Sequence, residues 1–203
     1  MAFPYSKQTW TDGVSSASAA RLAVIEDGIA MAGVFGTSSS PPGSPVDGMI
    51  WRLPASSSTG VYWFFQYDSS QATYKWVFMG GPPLTSEVAT SETSNSATYV
   101  DLATVGPSIT LPRGGDYIVS HGNSCFNAVG AKQYQTVKLG AAAAADAHAC
   151  IHDAVNLTDT PSKTFRSNGA SASDVYKLMY RNNVTNTGTW LERWISVTPV
   201  RVI

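Results

Sequence analysis

Two histidines and a cysteine lie close together in residues 148–152, with Asp146 and Asp153 on either side. On a strand, His148, Cys150 and His152 would share one face. At ~3.3 Å per residue the two histidines would then be about 13 Å apart, too far to share one metal ion. On a helix the same pair could bind zinc, but the glutamate that follows the first histidine in metalloproteases is absent. His148 and His152 are therefore only a weak candidate for a metal site. We expect instead that both are polar side chains near a subunit contact.

Other catalytic patterns are missing from the sequence. Gly-x-Ser-x-Gly does not occur, and the glycines of residues 112–117 (PRGGDY) are typical of a turn rather than a phosphate-binding loop. We expect no catalytic residue, no cofactor and no enzyme activity. Tyr62, Tyr67 and Trp190 could stack on sugar rings, although aromatic side chains more often fill a core or a subunit interface. A carbohydrate-binding or depolymerising module is therefore the alternative of another class.

Composition excludes several classes of partner. Charged residues make up 13% and aromatic residues 11% of the 203 residues, and the formal net charge is −1. Without a basic run, nucleic acid and anionic lipid are not expected partners. No apolar segment approaches the ~20 residues of a membrane span, and the first residues do not resemble a secretory signal peptide. We expect Cys125 and Cys150 to be buried free thiols.

One segment, residues 15–33, has the pattern of a helix. Leu22, Ile25, Ile29 and Ala32 follow one another at spacings of three, four and three residues, which gives an apolar seam about two heptads long. A helix this short is marginal alone and needs a partner. The spacing leaves two partners open, namely sibling chains or the helix's own domain.

The next part of the chain predicts a linker and a small β module. Residues 36–48 are rich in serine, proline and glycine, and residues 49–79 contain two or three aromatic strands. Because both faces of the strand at 61–67 are aromatic, we expect cover from another subunit or a neighbouring domain. The glycines and prolines at 80–83 predict a stiff exit toward a second domain.

From residue 84 onward the sequence predicts an antiparallel sandwich of short strands separated by turn signals. Candidate strands include 98–105, 108–112, 116–124, 133–140, 174–183 and 189–203. Tyr176, Leu178 and Tyr180 should share one face of their strand. In the last strand, Leu191, Arg193, Ile195 and Val197 should share a face opposite Trp190, Glu192 and Trp194. Residues 140–155 are predicted as a loop followed by a strand, with a helix as the alternative.

The N-terminal motifs resemble those of tailed-bacteriophage virion proteins. The pattern is W-x-D-G, followed by L-x-x-I-E-x-G-I-x-x-A; the matching residues are Trp10, Asp12, Gly13, Leu22, Ile25, Glu26, Gly28, Ile29 and Ala32. Residues 43–84 look like a module that follows this opening in phage tail, fibre and appendage proteins. The final run, LERWISVTPVRVI, is similar to the closing strand of jelly-roll-like sandwiches.

The resemblance implies a mainly β virion protein with three parts. Residues 1–35 would be an arm and short helix for attachment and oligomerisation, 36–83 a linker and small β module, and 84–203 a jelly-roll-like sandwich. It implies a homotrimer assembled in the host cytoplasm that docks on other virion proteins, as a tail fibre or minor tail protein or, alternatively, a capsid head fibre or decoration protein. The sandwich would contact the host surface, including a cell-surface glycan. The aromatic residues expected between subunits are Trp63, Phe65, Tyr74, Trp76 and Phe78.

Overall fold

The computed structural model describes residues 37–56, 60–127, 130, 132–153 and 155–203. Antiparallel strands dominate this part of the chain, and the one helical element within it is a single 3-10 turn at Asp146–His148. No helix within it is long and apolar enough to cross a membrane. The strands, in chain order, are β1 (Ile50–Ser56), β2 (Val61–Tyr67), β3 (Trp76–Gly80), β4 (Leu84–Val88), β5 (Glu92–Ser94), β6 (Ser108–Thr110), β7 (Gly115–Phe126), β8 (Gln133–Leu139), β9 (Cys150–His152), β10 (Thr158–Asp159), β11 (Ser162–Ala170), β12 (Val175–Asn182) and β13 (Gly188–Val202).

The strands form two sheets that pack face to face. In the smaller sheet the order is β6-β12-β8-β9. In the larger sheet β4 and β5 pair with one edge of β13, β7 pairs with the other edge, and β11 pairs with β7. Counting β4, β6, β7, β8, β9, β11, β12 and β13 as strands one to eight, the sheets run 1-8-3-6 and 2-7-4-5. This is the strand order of a jelly roll, and it confirms the mainly β, jelly-roll-like sandwich predicted from the sequence.

The first three strands extend the larger sheet as an antiparallel ribbon, β1-β2-β3. Strand β3 pairs with β13 at Arg201 and Val202, and β4 pairs with the same edge of β13 at residues 193–197. Residues 80–83 therefore turn the chain between two segments of one sheet. Buried residues of the ribbon belong to the same hydrophobic cluster as those of the sandwich, and the Trp63 and Tyr117 rings are 6.3 Å apart.

Most predicted strands are present, and the differences have local causes. Residues 140–155 form a loop, the 3-10 turn and β9, which confirms the predicted loop and strand. The strand predicted at 98–105 is wrong, because only Val100 forms a bridge there, to Tyr180. Strands β4, β5 and β11 were not predicted, since their serine- and threonine-rich sequences lack an apolar alternation. Tyr176, Leu178 and Tyr180 are buried on one face, as expected.

In the last strand, the side chains predicted to share a face do so only from Arg193 onward, which is beyond a β-bulge. Arg193, Ile195 and Val197 are all buried, but Trp190 is buried with them, and Leu191 is not part of the core. The register of β13 against β7 shifts between residues 191 and 194, and Glu192 has a φ of 36°. One extra residue in a bulge reverses which side chains face inward. The prediction that Trp190 lies on the face opposite Ile195 is therefore wrong.

Candidate interaction surfaces

The molecule has two distinct ends along β13. At one end, residues 201–202 pair with β3, so the ribbon and the incoming chain at Thr37 lie there. At the other end, Thr189 pairs with Phe126, and residues 183–187 and the described residues of 127–132 and 153–157 lie there outside the strands. The paired length of β7 and β13 places these ends roughly 40 Å apart, at ~3.4 Å per residue. We call them the ribbon end and the loop end.

The inner face of the ribbon is covered by the chain itself. Trp63 and Phe65 have no exposed surface, and Trp76 is 4% exposed. Their rings form edge-to-face or tilted contacts with one another and with their neighbours, for example Trp63 with Phe78 at 6.4 Å and Phe65 with Phe78 at 5.8 Å. Of the two sources of cover that we expected, another subunit or a neighbouring domain, it is the sandwich of the same chain that covers Trp63, Phe65 and Trp76. Tyr74 and Phe78 are only partly buried.

The outer face of the ribbon is different in character. We define it by Arg52, Tyr62, Phe64, Met79 and Gly80. Tyr62 and Phe64 are each 36% exposed, and Met79 is 57% exposed. Arg52 is its one charged member, and the Arg52 Cζ atom lies 4.2 Å from the centroid of the Tyr62 ring. An exposed apolar sheet face of this kind is typical of an interaction surface.

A tight turn connects the ribbon to the sandwich. Gly81 has a φ of 131°, which a residue with a Cβ rarely adopts. A Cβ at this position would also collide with the backbone oxygen of Tyr62. The Trp63 Nε1–H donates a hydrogen bond of 2.8 Å to the Pro82 carbonyl oxygen. The sequence signal of two glycines and two prolines thus marks a fixed turn that the ribbon core holds in place.

The histidines predicted as a metal candidate do not come together. His148 belongs to the 3-10 turn, and its ring stacks on Phe165 with centroids 3.9 Å apart. His152 is buried, and its Nδ1 lies 3.4 Å from Asp159 Oδ2. Within the described residues there is no group of three side chains suited to hold a metal ion. The expected single face fails because the chain leaves the 3-10 turn before β9 begins.

A buried polar network centres on His121, and it includes the backbone carbonyl group of His148. The His121 Nε2 lies 2.9 Å from the His148 carbonyl oxygen, so this nitrogen carries the hydrogen and donates it. The Nδ1 then accepts from Gln135 Nε2 at 3.2 Å, and Gln135 Oε1 accepts from Asn123 Nδ2 at 2.6 Å. The Cys150 Sγ lies 3.9 Å from the same Nδ1. One neutral tautomer of His121 therefore suits both hydrogen bonds of its ring.

The chemistry of this network is that of a structural core. Burial lowers the pKa of His121 to about 4, and burial raises the pKa of the Cys150 thiol to about 12. A cysteine nucleophile needs the opposite, namely a lowered thiol pKa beside a basic histidine. Cys125 and Cys150 are both buried free thiols, as predicted. The pair of Cys150 and His121 thus remains neutral and holds the two sheets together.

Sequence reasoning missed the residues that define both features. His121, Gln135 and Asn123 were overlooked because polar residues in a strand are normally assigned to the solvent face. Arg52 and Phe64 were not singled out because alternation alone does not say which aromatic face is covered. The predicted attachment residues Trp10, Asp12, Gly13, Leu22, Ile25, Glu26, Ile29 and Ala32 lie outside the described residues.

Comparison with known proteins finds distant similarities among solved structures. No family model and no curated protein matches the chain. Among solved structures, Eiger TNF from S. frugiperda is 9% identical, with a TM-score of 0.44, over 60% of this chain and 95% of that chain. The C-terminal domain of EclA, a sugar-binding protein, is 15% identical, with a TM-score of 0.31, over 65% and 89%.

A structure of infectious bursal disease virus (Gx strain) is 11% identical, with a TM-score of 0.33, over 81% of this chain and 55% of that chain. At these identities and TM-scores the similarities carry no argument about function. The assignment as a jelly roll rests on the strand order in the two sheets.

Proposed function

We propose that the protein is a non-enzymatic structural component of a tailed-bacteriophage virion. In this proposal it is a homotrimeric fibre or appendage of the tail that docks through its ribbon end and directs its loop end toward the host surface. A capsid head fibre or decoration protein is the alternative position on the particle. The N-terminal motif around Trp10, Leu22 and Ile25 supports the virion assignment.

The observation that carries the proposal is the polarity of the molecule. The chain reaches the fold beside β1, where Thr37 bridges to Arg52, so residues 1–36 connect at the ribbon end. Exposed apolar side chains of the loop end, Val155 at 47%, Leu157 at 62% and Val184 at 45%, lie on the opposite side of the molecule. A protein with attachment at one end and loops at the other suits a projecting appendage.

The test is the composition and structure of phage particles purified from cells that produce the chain. Quantitative mass spectrometry should find a fixed copy number, and cryo-EM should show density for the jelly roll with the ribbon end toward the particle. A copy number of a few to some tens supports the tail, whereas one that scales with capsomers or vertices supports the capsid. Absence of the chain from gradient-purified particles would overturn the proposal. Light scattering should give three times the 21.5 kDa chain mass, and a stable monomer contradicts the trimer.

The second candidate is a carbohydrate-binding or depolymerising module. Tyr62 favours it, because its ring is partly exposed on the outer face of the ribbon, and aromatic rings can stack on sugars. Trp190 does not contribute, since it is fully buried. Binding of host polysaccharide that is lost in Tyr62→Ala supports this candidate as a lectin, and release of reducing ends supports a depolymerase.

A further inference from the structure

The outer face of the ribbon leaves open space beside Phe64, which we call the groove. Phe64 pairs across the strands with Arg52 on one side and with Gly80 on the other, so the three positions share one row on this face. Nothing lies within 4 Å of the place that a Cβ of Gly80 would occupy. The backbone of Gly80 is not left-handed either, in contrast to Gly81. Neither conformation nor packing inside the described residues requires a glycine at this position, and the position leaves room for an occupant.

Arg52 supplies a second sign of an occupant. Its guanidinium group lies over Tyr62, and its Nε is buried without a hydrogen-bond partner. A buried donor of a charged group normally has an acceptor, since leaving it unpaired costs free energy. No carboxylate of the described residues forms an ion pair with Arg52. An acidic side chain of the occupant would accept a hydrogen bond from the Arg52 Nε–H.

The position of the incoming chain identifies what is within reach. Thr37 bridges to Arg52 in parallel, and the Ser38 N–H donates to the Arg52 carbonyl oxygen at 3.3 Å. Residue 33 is four Cα-to-Cα steps from Thr37, and a chain of that length spans at most ~14 Å. Neighbouring strands are ~4.8 Å apart, and Phe64 on β2 is one strand beyond Arg52 on β1. The chain that precedes Thr37 is therefore long enough to reach Phe64.

The sequence just before this point has matching chemistry. The pattern of residues 15–33 predicts a helix with an apolar seam that includes Ile25 and Ile29, and Glu26 lies beside the seam. We propose that the outer face of the ribbon binds residues 15–33 of the same chain, with the seam against Phe64 and Gly80 and Glu26 beside Arg52. The seam spacing alone left the choice between sibling chains and its own domain open. The groove, the unpaired Arg52 Nε and the short connection favour its own domain.

Disulfide trapping in the full-length chain tests the proposal. Ile25→Cys combined with Phe64→Cys, oxidised with diamide, should give a disulfide within one chain, visible as a faster-migrating monomer on a non-reducing gel. The native cysteines are buried and serve as internal background. The matched control is Ile25→Cys with Thr185→Cys, because Thr185 is exposed at the loop end. A disulfide between chains would overturn the proposal in favour of a sibling's segment, and a yield no higher than that of the control would overturn it outright.

Two further variants of the trapping pair check the details of the contact. Gly80→Phe fills the groove and should reduce the yield to the control level, whereas Gly80→Ala should reduce it far less. Arg52→Glu should lower the yield, and adding Glu26→Arg should restore it. Yields unchanged by Gly80→Phe and by Arg52→Glu would contradict the proposed contact. The disulfide yield tests only the contact between residues 15–33 and the ribbon. The virion function is tested separately by the composition of purified particles, so either proposal can fail while the other holds.

Discussion

The interior of the sandwich differs between the ribbon end and the loop end. At the ribbon end it consists of aromatic side chains, including Trp51, Trp63, Phe65 and Trp76. Toward the loop end, fully or almost fully buried polar side chains lie between the sheets; these are His121, Asn123, Gln133, Gln135, His152 and Asn182. Aromatic packing supplies free energy in proportion to buried area. Buried polar groups supply little net free energy, but they require one particular arrangement of donors and acceptors.

This difference shows how one fold combines stability with a fixed loop geometry. The ribbon core can be expected to dominate the free energy of unfolding. The polar network connects β7, β8, the 3-10 turn and β9, and it thereby fixes the ends of these strands next to the loop end. The different roles of the ribbon core and the polar network can be tested by mutation and by acidification.

Removing a ribbon tryptophan should have the largest effect. Trp63→Ala should lower the free energy of unfolding by about 3–5 kcal/mol, because a fully buried large side chain is replaced by a cavity. Urea denaturation followed by circular dichroism measures the change. Phe64→Ala, the next residue on the same strand but on the outer face, is the matched control and should cost much less. Equal losses would mean that the two faces of β2 are covered to the same extent.

Acidification should weaken the loop end through His121. Because its folded pKa of about 4 lies below the unfolded value of 6.5, the unfolded chain binds more protons between these values. The stability contribution is complete above pH 6.5 and is lost as the pH falls toward 4. Between pH 7 and pH 5 this amounts to roughly 2 kcal/mol.

The measurement is urea denaturation at both pH values for the wild type and for His121→Gln. The wild type should lose more stability on acidification than the variant does. His148→Gln should keep the wild-type dependence, because the ring of that histidine is on the surface and only its backbone oxygen bonds His121. An unchanged pH dependence in His121→Gln would show that His121 is not the group responsible.

Interrupting the polar network without adding a charge should have a similar or smaller effect. Gln135→Leu removes the acceptor for Asn123 and the donor to His121, and it should cost about 1–3 kcal/mol. Gln66→Leu makes the same substitution on the ribbon, where the side chain has only a long 3.5 Å bond to the Gly48 carbonyl oxygen. It should change stability by less than about 0.5 kcal/mol. If Gln135→Leu is as neutral as Gln66→Leu, the network contributes no constraint.

The two adjacent glycines of the turn should respond differently to alanine. Gly81→Ala should cost more than about 1 kcal/mol, since its φ is positive and its Cβ would meet the backbone of Tyr62. Gly80→Ala should be close to neutral, because open space surrounds the new Cβ. Thermal denaturation of the two variants provides the comparison. A larger loss for Gly80→Ala would mean that position 80 is constrained by the ribbon rather than left free for an occupant.

The sequence predicts the strands that bury apolar residues, and it fails where burial and polarity coincide. Strand β8 illustrates this, because Gln133 and Gln135 are buried while Tyr134 between them is partly exposed. A pattern of alternating apolar and polar residues would place the tyrosine inside and the glutamines outside. The glutamines are inside because Gln135 bonds Asn123 on β7 and Gln133 bonds the Thr189 carbonyl oxygen on β13. Trp190 was assigned to the wrong face because a bulge depends on pairing with β7, which local sequence does not encode.

The candidate surface could be predicted only in part. The aromatic character of both ribbon faces was visible in the sequence, but which face is covered depends on residues far away, such as Tyr117 in the sandwich. Arg52 and Gly80 became informative only through their positions on either side of Phe64. The metal candidate failed because His148 and His152 belong to different local structures, although the spacing of four residues suggested a common face.

Strand β13 has a mechanical consequence for a molecule anchored at one end. It runs through the whole larger sheet and is hydrogen-bonded to β7 on one edge and to β5, β4 and β3 in succession on the other. A pulling force between the ribbon end and the loop end acts along this strand. The ladder bonds on both edges are then loaded in shear and must break together rather than one after another. Tension applied at the loops would thus reach the ribbon end without first opening the sandwich.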